Sequence, residues 1–317
     1  MNDIKTYLQT IGWGDFEIEV ASSDASFRRY FRLLKSGSSY ILMDSTKDKE
    51  SLKPFIDINQ RLLGVGVRVP KIVFDDFSNG YLILQDFGST HLLDIIDSSN
   101  YQRLYKDAID EIIKIQQAPT HNLPLYDKEF LLFEMELMQE WFISKYLHLT
   151  PTQEELELIK STQSFIASRV LSQPSGVFVH RDFHSRNIMI SDGAIGVIDF
   201  QDARSGAITY DLVSLLRDCY VSFDAKEIEN LALYYKQKAN LQVSDSEFIE
   251  WFDMMGLQRH IKVLGIFARL HLRDGKDGYL QDIPQTLSYV LQIAPKYPQT
   301  ALFGEYLKSI AKPFYKR

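Results

Sequence analysis

Three side chains that carry hard oxygen atoms lie close together in the sequence: Asp182, Asn187 and Asp199. Asn187 and Asp199 bracket two apolar runs joined by Ser-Asp-Gly, a pattern that predicts a β-hairpin. The open ends of an antiparallel hairpin lie together, so we expect Asn187 and Asp199 to meet, with Asp182 approaching from the preceding loop. Two carboxylates and an amide in one place offer ligands for Mg²⁺ and leave one carboxylate to accept a proton.

The same stretch contains His180-Arg181-Asp182, then Asn187 and, after the hairpin, Asp199. This order resembles the catalytic loop and metal-binding aspartate of kinase-fold phosphotransferases. The resemblance implies that Asp182 is the catalytic base and that Asn187 and Asp199 are ligands of Mg²⁺. The alternative is a buried polar loop without a chemical role.

Charge and cysteine content exclude some classes of protein. The formal net charge of the 317-residue chain is −7, which argues against nonspecific binding of nucleic acid. Cys219 is the single cysteine and cannot form an internal disulfide, as expected in a reducing cytosol. The sequence has no signal-peptide core and no apolar run of about 18 residues. We therefore expect a cytoplasmic protein without a nucleic-acid or membrane partner.

The N-terminal part has the element order of a kinase small lobe. Period-two alternation and turn residues predict strands, and an apolar stripe ended by glycine predicts one helix. The predicted order is strand, strand, strand, helix, strand, strand, over residues 15–20, 27–34, 40–43, 49–63, 71–74 and 81–84. We expect an α+β fold of the two-lobed protein-kinase type. Its parts are a small antiparallel nucleotide-binding lobe (1–84), a hinge (85–88) and a larger, mostly helical catalytic and acceptor-binding lobe (89–317).

The loop between the first two strands is placed to cover nucleotide phosphates, although it contains no glycine. Ser23 and Ser26 could bind phosphate there, and Arg28, Arg29 and Arg32 follow immediately. Strand alternation puts Arg28 and Arg32 on one face and Arg29 on the other. We take Ser23, Ser26, Arg28 and Arg32 as candidate nucleotide ligands, against the alternative of a solvated basic hairpin.

The third strand departs from the protein-kinase pattern because residues 40–44, Tyr-Ile-Leu-Met-Asp, contain no lysine. The phosphate charge must then be neutralised by one of the three arginines or by Lys47, Lys49 or Lys53, and the sequence does not choose. In the predicted hinge, Gln85 and Phe87 are candidates for contact with the nucleotide base, or parts of a plain connector.

The C-terminal part is helical in pattern and contains the candidate acceptor residues. Asp202 and Arg204 follow the predicted metal site closely, whereas Asp211 is interpreted as the N-cap of a helix at 212–219. On a long helix predicted at 245–272, Lys262, Arg269 and Arg273 share one face, which is either a salt-bridged surface, the interpretation we favour, or a cationic wall of a cleft. Another helix is predicted over residues 128–147. It could line an acceptor pocket with Glu134, Glu136, Gln139 and Trp141, but a stripe of Met and aromatic residues at helical spacing is more typical of a core.

Several motifs resemble one enzyme superfamily over nearly the whole chain. Residues 180–187, His-Arg-Asp-Phe-His-Ser-Arg-Asn, and 197–203 resemble the aminoglycoside phosphotransferase and choline kinase superfamily. Residues 23–32, 210–218 and 256–276 look more narrowly like the bacterial anomeric kinases of N-acetylmuramate and N-acetylglucosamine, which serve cell-wall recycling. The missing strand lysine fits that narrower group better than antibiotic kinases.

The resemblance implies a Mg²⁺-dependent kinase that transfers a phosphoryl group from ATP or another NTP to the anomeric hydroxyl of an amino sugar. A lactyl-bearing sugar acid would need a cation such as Arg204, Arg269 or Arg273, whereas a cationic acceptor would need carboxylates. Two alternatives stay open. One is the same chemistry on an aminoglycoside, choline or a homoserine-like acceptor, and the other is a nucleotide-binding pseudokinase that acts as a regulator.

Overall fold

The computed structural model describes residues 2–22 and 28–314 of the chain. These residues fold into two compact units. The first unit combines Met1–Thr90 with Ile188–Asp202, and the second combines His91–Asn187 with Ala203–Arg317. The candidate ligands Ser23 and Ser26 lie outside the described residues.

The first unit is built on a five-stranded antiparallel sheet with the strand order β1-β2-β3-β5-β4. Its elements are α1 (Asn2–Thr10), β1 (Glu17–Ser22), β2 (Arg29–Lys35), β3 (Ser38–Asp44), α2 (Leu52–Gly64), β4 (Ile72–Asp76) and β5 (Tyr81–Gln85). The predicted order of five strands and one helix is confirmed. The helix α1 was not predicted, and its Ile4 and Leu8 pack on one face of the sheet against Phe31, Leu33 and Leu42.

A separate hairpin of the first unit follows the predicted catalytic loop. Strands β7 (Ile188–Ser191) and β8 (Ala194–Val197) pair with Ile188 opposite Val197. Asp192 and Gly193 at the turn have φ angles of 54° and 73°, which match the left-handed pair of a tight hairpin turn. This confirms the predicted hairpin.

The second unit is mostly helical and contains one two-stranded sheet. Strands β6 (Ser175–Val179) and β9 (Arg204–Ala207) are antiparallel, with Arg204 opposite Val179. The helices are α3 (Leu92–Ile95), α4 (Tyr101–Ile115), α5 (Lys128–Leu137), α6 (Gln153–Val170), α7 (Tyr210–Leu216), α8 (Ala225–Lys238), α9 (Asp245–Asp274), α10 (Ile283–Ile293) and α11 (Pro298–Ile310).

The helix predicted over 128–147 changes its winding at Met138. It is α-helical to Leu137 and π-helical over Met138–Tyr146. The change occurs where α9 approaches closely, since a Cβ built on Gly265 would lie 2.5 Å from the Met138 backbone nitrogen. Short π-helical insertions often mark functional or closely packed positions in helices.

At the start of α6, Thr152 accepts a hydrogen bond from the Glu155 backbone, and the Glu155 side chain accepts one from the Thr152 backbone. The two residues therefore form a capping box at the N-terminus of α6. Among the described residues, no helix is long and apolar enough to cross a membrane.

Candidate active site

The predicted catalytic loop begins directly after β6, so the strand fixes where the loop starts. His180 is fully buried, and its Nδ1 lies 3.2 Å from the Asp182 backbone nitrogen. Arg181 has a φ of 80°, in the left-handed region that L-residues other than glycine rarely adopt. Such strained residues persist only where their surroundings hold them, and they concentrate at functional sites.

Asp211 holds the strained part of this loop. Its two carboxylate oxygens accept hydrogen bonds from the backbone N–H groups of His180 (2.8 Å) and Arg181 (2.9 Å). Burial raises the pKa of Asp211, because removing the carboxyl group from water disfavours its charged form. The interpretation of Asp211 as a helix N-cap is wrong, because Thr209 occupies that position and Asp211 lies inside α7.

A second buried aspartate holds the other side of the loop. Asp218 accepts hydrogen bonds from the backbone N–H groups of Ser185 (2.9 Å) and Tyr220 (3.0 Å). Asp211 lies in α7, every residue of which is buried, and Asp218 follows two positions after the end of that helix. The catalytic loop is therefore anchored at two points, one in the buried helix α7 and one in the segment directly after it.

The Asp182 carboxylate is placed on this loop without a hydrogen bond of its own among the described residues. Burial would raise the pKa of Asp182, but the charges of Lys262, Arg181 and Arg259 outweigh burial and lower it below its ordinary value. The side chain is only partly covered. An ionised, accessible carboxylate with unused lone pairs is suited to accept a proton from a bound hydroxyl group.

Beside Asp182 lies a buried network of charges centred on Glu134 in α5. The Glu134 carboxylate accepts hydrogen bonds from Arg181 (2.8 Å), Lys262 (3.0 Å) and Gln258 (3.1 Å), and also from the Tyr126 hydroxyl. Despite burial, these cations and donors hold the pKa of Glu134 below its ordinary value. Glu134 is therefore a buried, charged residue that binds cations, and it is neither an apolar-core residue nor an exposed residue of a pocket wall.

Lys262 contradicts the sequence interpretation of α9 as a salt-bridged surface. Its side chain is only 7% exposed, and Nζ lies 2.9 Å from the Tyr210 hydroxyl and 3.0 Å from Glu134. Burial lowers the pKa of Lys262, but Glu134 and Tyr210 reverse this effect, so the pKa is raised overall. The partly buried Arg181 and the buried Lys262 thus share one carboxylate, and the remaining positive charge acts on Asp182.

The two predicted metal ligands belong to different units. In the second unit, the Asn187 amide nitrogen donates to the Asp182 carbonyl (3.0 Å), so its amide oxygen is the atom suited to bind a cation. In the first unit, Asp199 is exposed, has a φ of 63° and accepts a hydrogen bond from Gln201 (2.9 Å). No group of three His, Cys, Asp or Glu side chains suited to hold a metal occurs in residues 2–22 or 28–314. The convergence of Asn187 with Asp199 stays a prediction.

Arg29 and Arg32 of β2 and Arg28, which precedes this strand, have different partners. Arg29 forms an ion pair with the buried Asp44 and lies over the Phe31 ring, on the sheet face that packs against α1. Arg32 bonds to Asp86 beyond β5, with Nε 2.7 Å from the carboxylate. Arg28 reaches the carbonyl of Ser51 (3.1 Å), just before α2. Of the three, Arg28 is therefore the one anchored beside α2.

The predicted hinge residues are fixed within the first unit. Gln85 ends β5 and pairs with Tyr40 of β3. Phe87 is 5% exposed, and its ring closes on Gly196, where an added Cβ would lie 2.5 Å from a ring carbon. Asp86 between them accepts a hydrogen bond from the Gly88 backbone (2.8 Å) and binds Arg32. A nucleotide contact of Gln85 and Phe87 stays a prediction.

The candidate acceptor residues are spread over the chain. Asp202 is an exposed residue of the first unit. Arg204 begins β9 opposite Val179, three positions before Asp182. Arg273 pairs with the neighbouring Asp274 on the surface, and Arg269 is partly buried one helical turn before it. Only Arg204 of these four lies beside the catalytic loop in the strand pairing of the second unit.

Comparison with known proteins agrees with this fold. The model of the Phosphotransferase enzyme family matches residues 17–245. The N-acetylmuramate/N-acetylglucosamine kinase of Neisseria meningitidis is 40% identical over 94% of this chain and 92% of its own length. The protein of that name from Pseudomonas aeruginosa is 38% identical over 94% and 91%.

Solved structures support the same fold at lower identity. An ADP-bound aminoglycoside phosphotransferase has a TM-score of 0.64 at 18% identity, covering 90% of this chain and 97% of that one. A choline kinase of Streptococcus pneumoniae has a TM-score of 0.64 at 14% identity, covering 91% and 97%. The expected α+β kinase-like fold is confirmed, and this chain belongs to the Phosphotransferase enzyme family.

Proposed function

We propose that this protein transfers the γ-phosphoryl group of ATP, or of another nucleoside triphosphate, to the anomeric hydroxyl of N-acetylmuramate or N-acetylglucosamine. The observation that carries the proposal is the Asp182 carboxylate, which is ionised, partly accessible and without a hydrogen-bond partner on a doubly anchored loop. The acceptor class is supported by the names of relatives that match nearly the full chain. Use of ATP is supported by the ADP-bound structural neighbour.

Asp182 orients the acceptor hydroxyl and takes its proton as the oxygen attacks the γ-phosphorus atom. An anomeric hydroxyl is more acidic than other sugar hydroxyls, so a carboxylate with a lowered pKa is a sufficient base. Positioning supplies most of the rate in phosphoryl transfer, which explains why the loop backbone is held by buried carboxylates rather than by exposed contacts.

Asn187 and Asp199 fit a Mg²⁺ ion, because one amide oxygen and one carboxylate, with phosphate oxygens and water, make a suitable hard-oxygen set. When bound, Mg²⁺ would neutralise charge on the transferred phosphates. On the nucleotide side, we propose that Arg28 takes the role of the missing strand lysine. Arg28 follows the loop predicted to cover the phosphates, and its guanidinium is held at the Ser51 carbonyl just before α2. Arg29, by contrast, lies on the opposite face of the sheet with Asp44.

An ADP-release assay with N-acetylmuramate, N-acetylglucosamine, choline and an aminoglycoside tests the proposal. We expect turnover with both amino sugars, and a loss of at least ~10²-fold in kcat for Asp182→Asn with nucleotide binding retained. Asp192→Asn, the same change at the exposed hairpin turn, is the matched control and should leave kcat unchanged.

Turnover with choline or the aminoglycoside and with neither sugar would show that the acceptor class is wrong. Near-normal activity of the Asp182→Asn variant would remove Asp182 from the role of base. Nucleotide binding without turnover on any acceptor would favour a regulatory pseudokinase instead.

A further inference from the structure

Arg204 is a cation at the edge of the catalytic loop. As the first residue of β9 it pairs with Val179, the last residue of β6, and His180 of the loop follows directly. Its Nη1 donates to the Leu125 carbonyl at 2.8 Å, which fixes the guanidinium against the segment that leads into α5. The guanidinium is therefore held in place, and it lies over the same aromatic rings as the side chain of Arg181, the residue before Asp182.

No carboxylate pairs with Arg204 among the residues that the structure describes. The nearby Glu134 already binds Arg181 and Lys262, and both Glu134 and Asp127 act on Arg204 only at longer range. By contrast, the other loop cation, Arg181, lies 2.8 Å from Glu134. A guanidinium that is partly withdrawn from water and lacks a counter-ion is expected to bind an anion favourably.

The neighbouring charge increases this demand. The guanidinium carbons of Arg204 and Arg181 both lie over the Phe130 ring, 3.4 Å and 5.5 Å from its centroid, and both lie 5.9 Å from the centroid of Tyr126. Burial, and then repulsion by Arg181, lower the pKa of Arg204. An anion bound between Arg204 and solvent would relieve both effects.

The shape around Arg204 suits a carboxylate attached to an apolar body. Phe130 covers one face of the planar guanidinium, so its N–H edge remains for a two-point contact with a carboxylate. Two large apolar side chains nearby are unusually exposed: Leu125 at 63% and Phe133, a neighbour of Phe130, at 57%. The Phe133 ring is tilted by 31° to the Phe130 ring, with 6.1 Å between the centroids, and both exposed side chains offer contact area for the carbon skeleton of the same ligand.

The other two candidate cations are less suitable. Arg273 already has Asp274 as its partner. At 1.5 Å per residue, Arg269 and Arg273 lie roughly 10 Å and 16 Å along α9 from Lys262, which of the residues of this helix lowers the pKa of Asp182 most. Of the three candidate acceptor cations, Arg204 is therefore the one best placed to contact an anionic acceptor bound at Asp182.

We infer that Arg204 binds the carboxylate of an acidic amino-sugar acceptor and so sets the preference for N-acetylmuramate over N-acetylglucosamine. The inference rests on the proposed function. The two sugars differ by one lactyl ether, which carries the carboxylate, so the pair isolates the contact. Arg204 is a specificity residue in this scheme and takes no part in the transfer of the proton or the phosphoryl group.

The test compares kcat/KM for both sugars in the wild type, Arg204→Met and Arg204→Lys. We expect Arg204→Met to lower kcat/KM for N-acetylmuramate roughly tenfold to a hundredfold and to change it less than about threefold for N-acetylglucosamine, the size of one charge-assisted hydrogen-bonded contact. Arg204→Lys, which keeps the charge but loses the planar fork, should fall between. Arg103→Met, at an exposed arginine paired with Asp107 on α4, is the control and should change neither value.

The methyl ester of N-acetylmuramate adds a second, ligand-side measurement. The wild type should prefer the acid to the ester, and Arg204→Met should lose that preference. Equal losses on both sugars, or no loss on either, would overturn the inference, since a purely structural role predicts the first and no role predicts the second. If the wild type phosphorylates neither sugar, the proposed function fails, and this outcome is distinct because N-acetylglucosamine turnover does not depend on Arg204.

Discussion

Replacing Glu134 by glutamine should destabilise the second unit strongly, because it removes the carboxylate that two buried cations share. Arg181 and Lys262 lie 2.8 Å and 3.0 Å from that carboxylate, and the Lys262 side chain is only 7% exposed. A glutamine of nearly the same volume leaves no cavity. The change therefore isolates charge compensation from packing.

The size of the effect follows from the burial of both partners. Removing one partner of a buried ion pair typically costs about 3–5 kcal/mol, because an uncompensated charge stays buried. For a unit of about 210 residues, 1 kcal/mol shifts Tm by about 2–4 °C. We therefore expect Glu134→Gln to lower Tm by about 6–20 °C. The same substitution at Glu140, whose pair with Lys145 is exposed, should cost less than about 1 kcal/mol.

The dependence on pH has a definite sign. In the wild type the pKa of Lys262 is raised, so Lys262 is protonated in the folded and unfolded states at neutral pH. Without the Glu134 charge, burial lowers the pKa of Lys262 below its unfolded value. The unfolded state then binds more protons between these two values, and stability rises with pH there. The difference in Tm between Glu134→Gln and wild type should narrow from pH 7 to pH 9.

Thermal unfolding of four proteins completes the test: wild type, Glu134→Gln, Lys262→Met and the double variant. Since Lys262→Met removes a cation that Glu134→Gln leaves unpaired, the double variant should recover at least about half of the Tm lost by Glu134→Gln. A Tm within about 2 °C of wild type for Glu134→Gln, or strictly additive losses in the double variant, would refute the idea that Glu134 compensates buried charge.

Three further predictions concern separate features. Asp211→Asn keeps one acceptor oxygen but presents an NH₂ group to the second loop N–H, so kcat should fall roughly tenfold to a hundredfold while nucleotide binding, measured by titration, stays within about threefold of wild type; an unchanged kcat would contradict the anchoring role. Arg28→Met should raise KM for ATP about tenfold in steady-state assays and leave the acceptor KM unchanged, and a shift in the acceptor KM alone would contradict its assignment to phosphate. Gly265→Ala should lower the free energy of unfolding, measured by chemical denaturation, by at least about 2 kcal/mol, because the new Cβ meets the backbone of Met138. Gly278→Ala, where the new Cβ has open space, should be nearly neutral. Equal effects of the two substitutions would show that the close approach at Gly265 is unimportant.

The parts of the fold that the sequence predicts well depend on local signals. The β7–β8 hairpin follows from two apolar runs around Asp192-Gly193, and the capping box at Thr152 follows from residues three positions apart. By contrast, β9 has the sequence Arg-Ser-Gly-Ala, which lacks β-branched or aromatic residues, and it exists because β6 offers a pairing edge. The helix α1 was missed because a helix this short presents only two core positions, Ile4 and Leu8.

The candidate active site also has a part that local sequence predicts and a part that depends on distant residues. The spacing around Asp182 identifies the chemistry because a catalytic loop is a contiguous motif. The burial of Lys262 could not be predicted from sequence, since its counter-charge, Glu134, lies more than a hundred positions earlier on another helix. The role of Asp211 was misassigned because an acid at the start of a helix is expected to bind that helix's own N–H groups, and here it binds those of a different segment.

The charges around Asp182 suggest why the site uses costly buried carboxylates. Burial raises the pKa of Asp211, because it disfavours the charged form of the carboxyl group, yet this carboxylate holds Arg181 in a strained left-handed conformation. That conformation brings the Arg181 side chain to Glu134, whose carboxylate also fixes Lys262, and both cations lower the pKa of Asp182. The buried Asp211 carboxylate therefore lowers the folding stability, but it fixes the positions of the cations that act on Asp182. Selection for stability alone would be expected to replace Asp211 first. Such a replacement would weaken catalysis by Asp182 although Asp182 itself is unchanged.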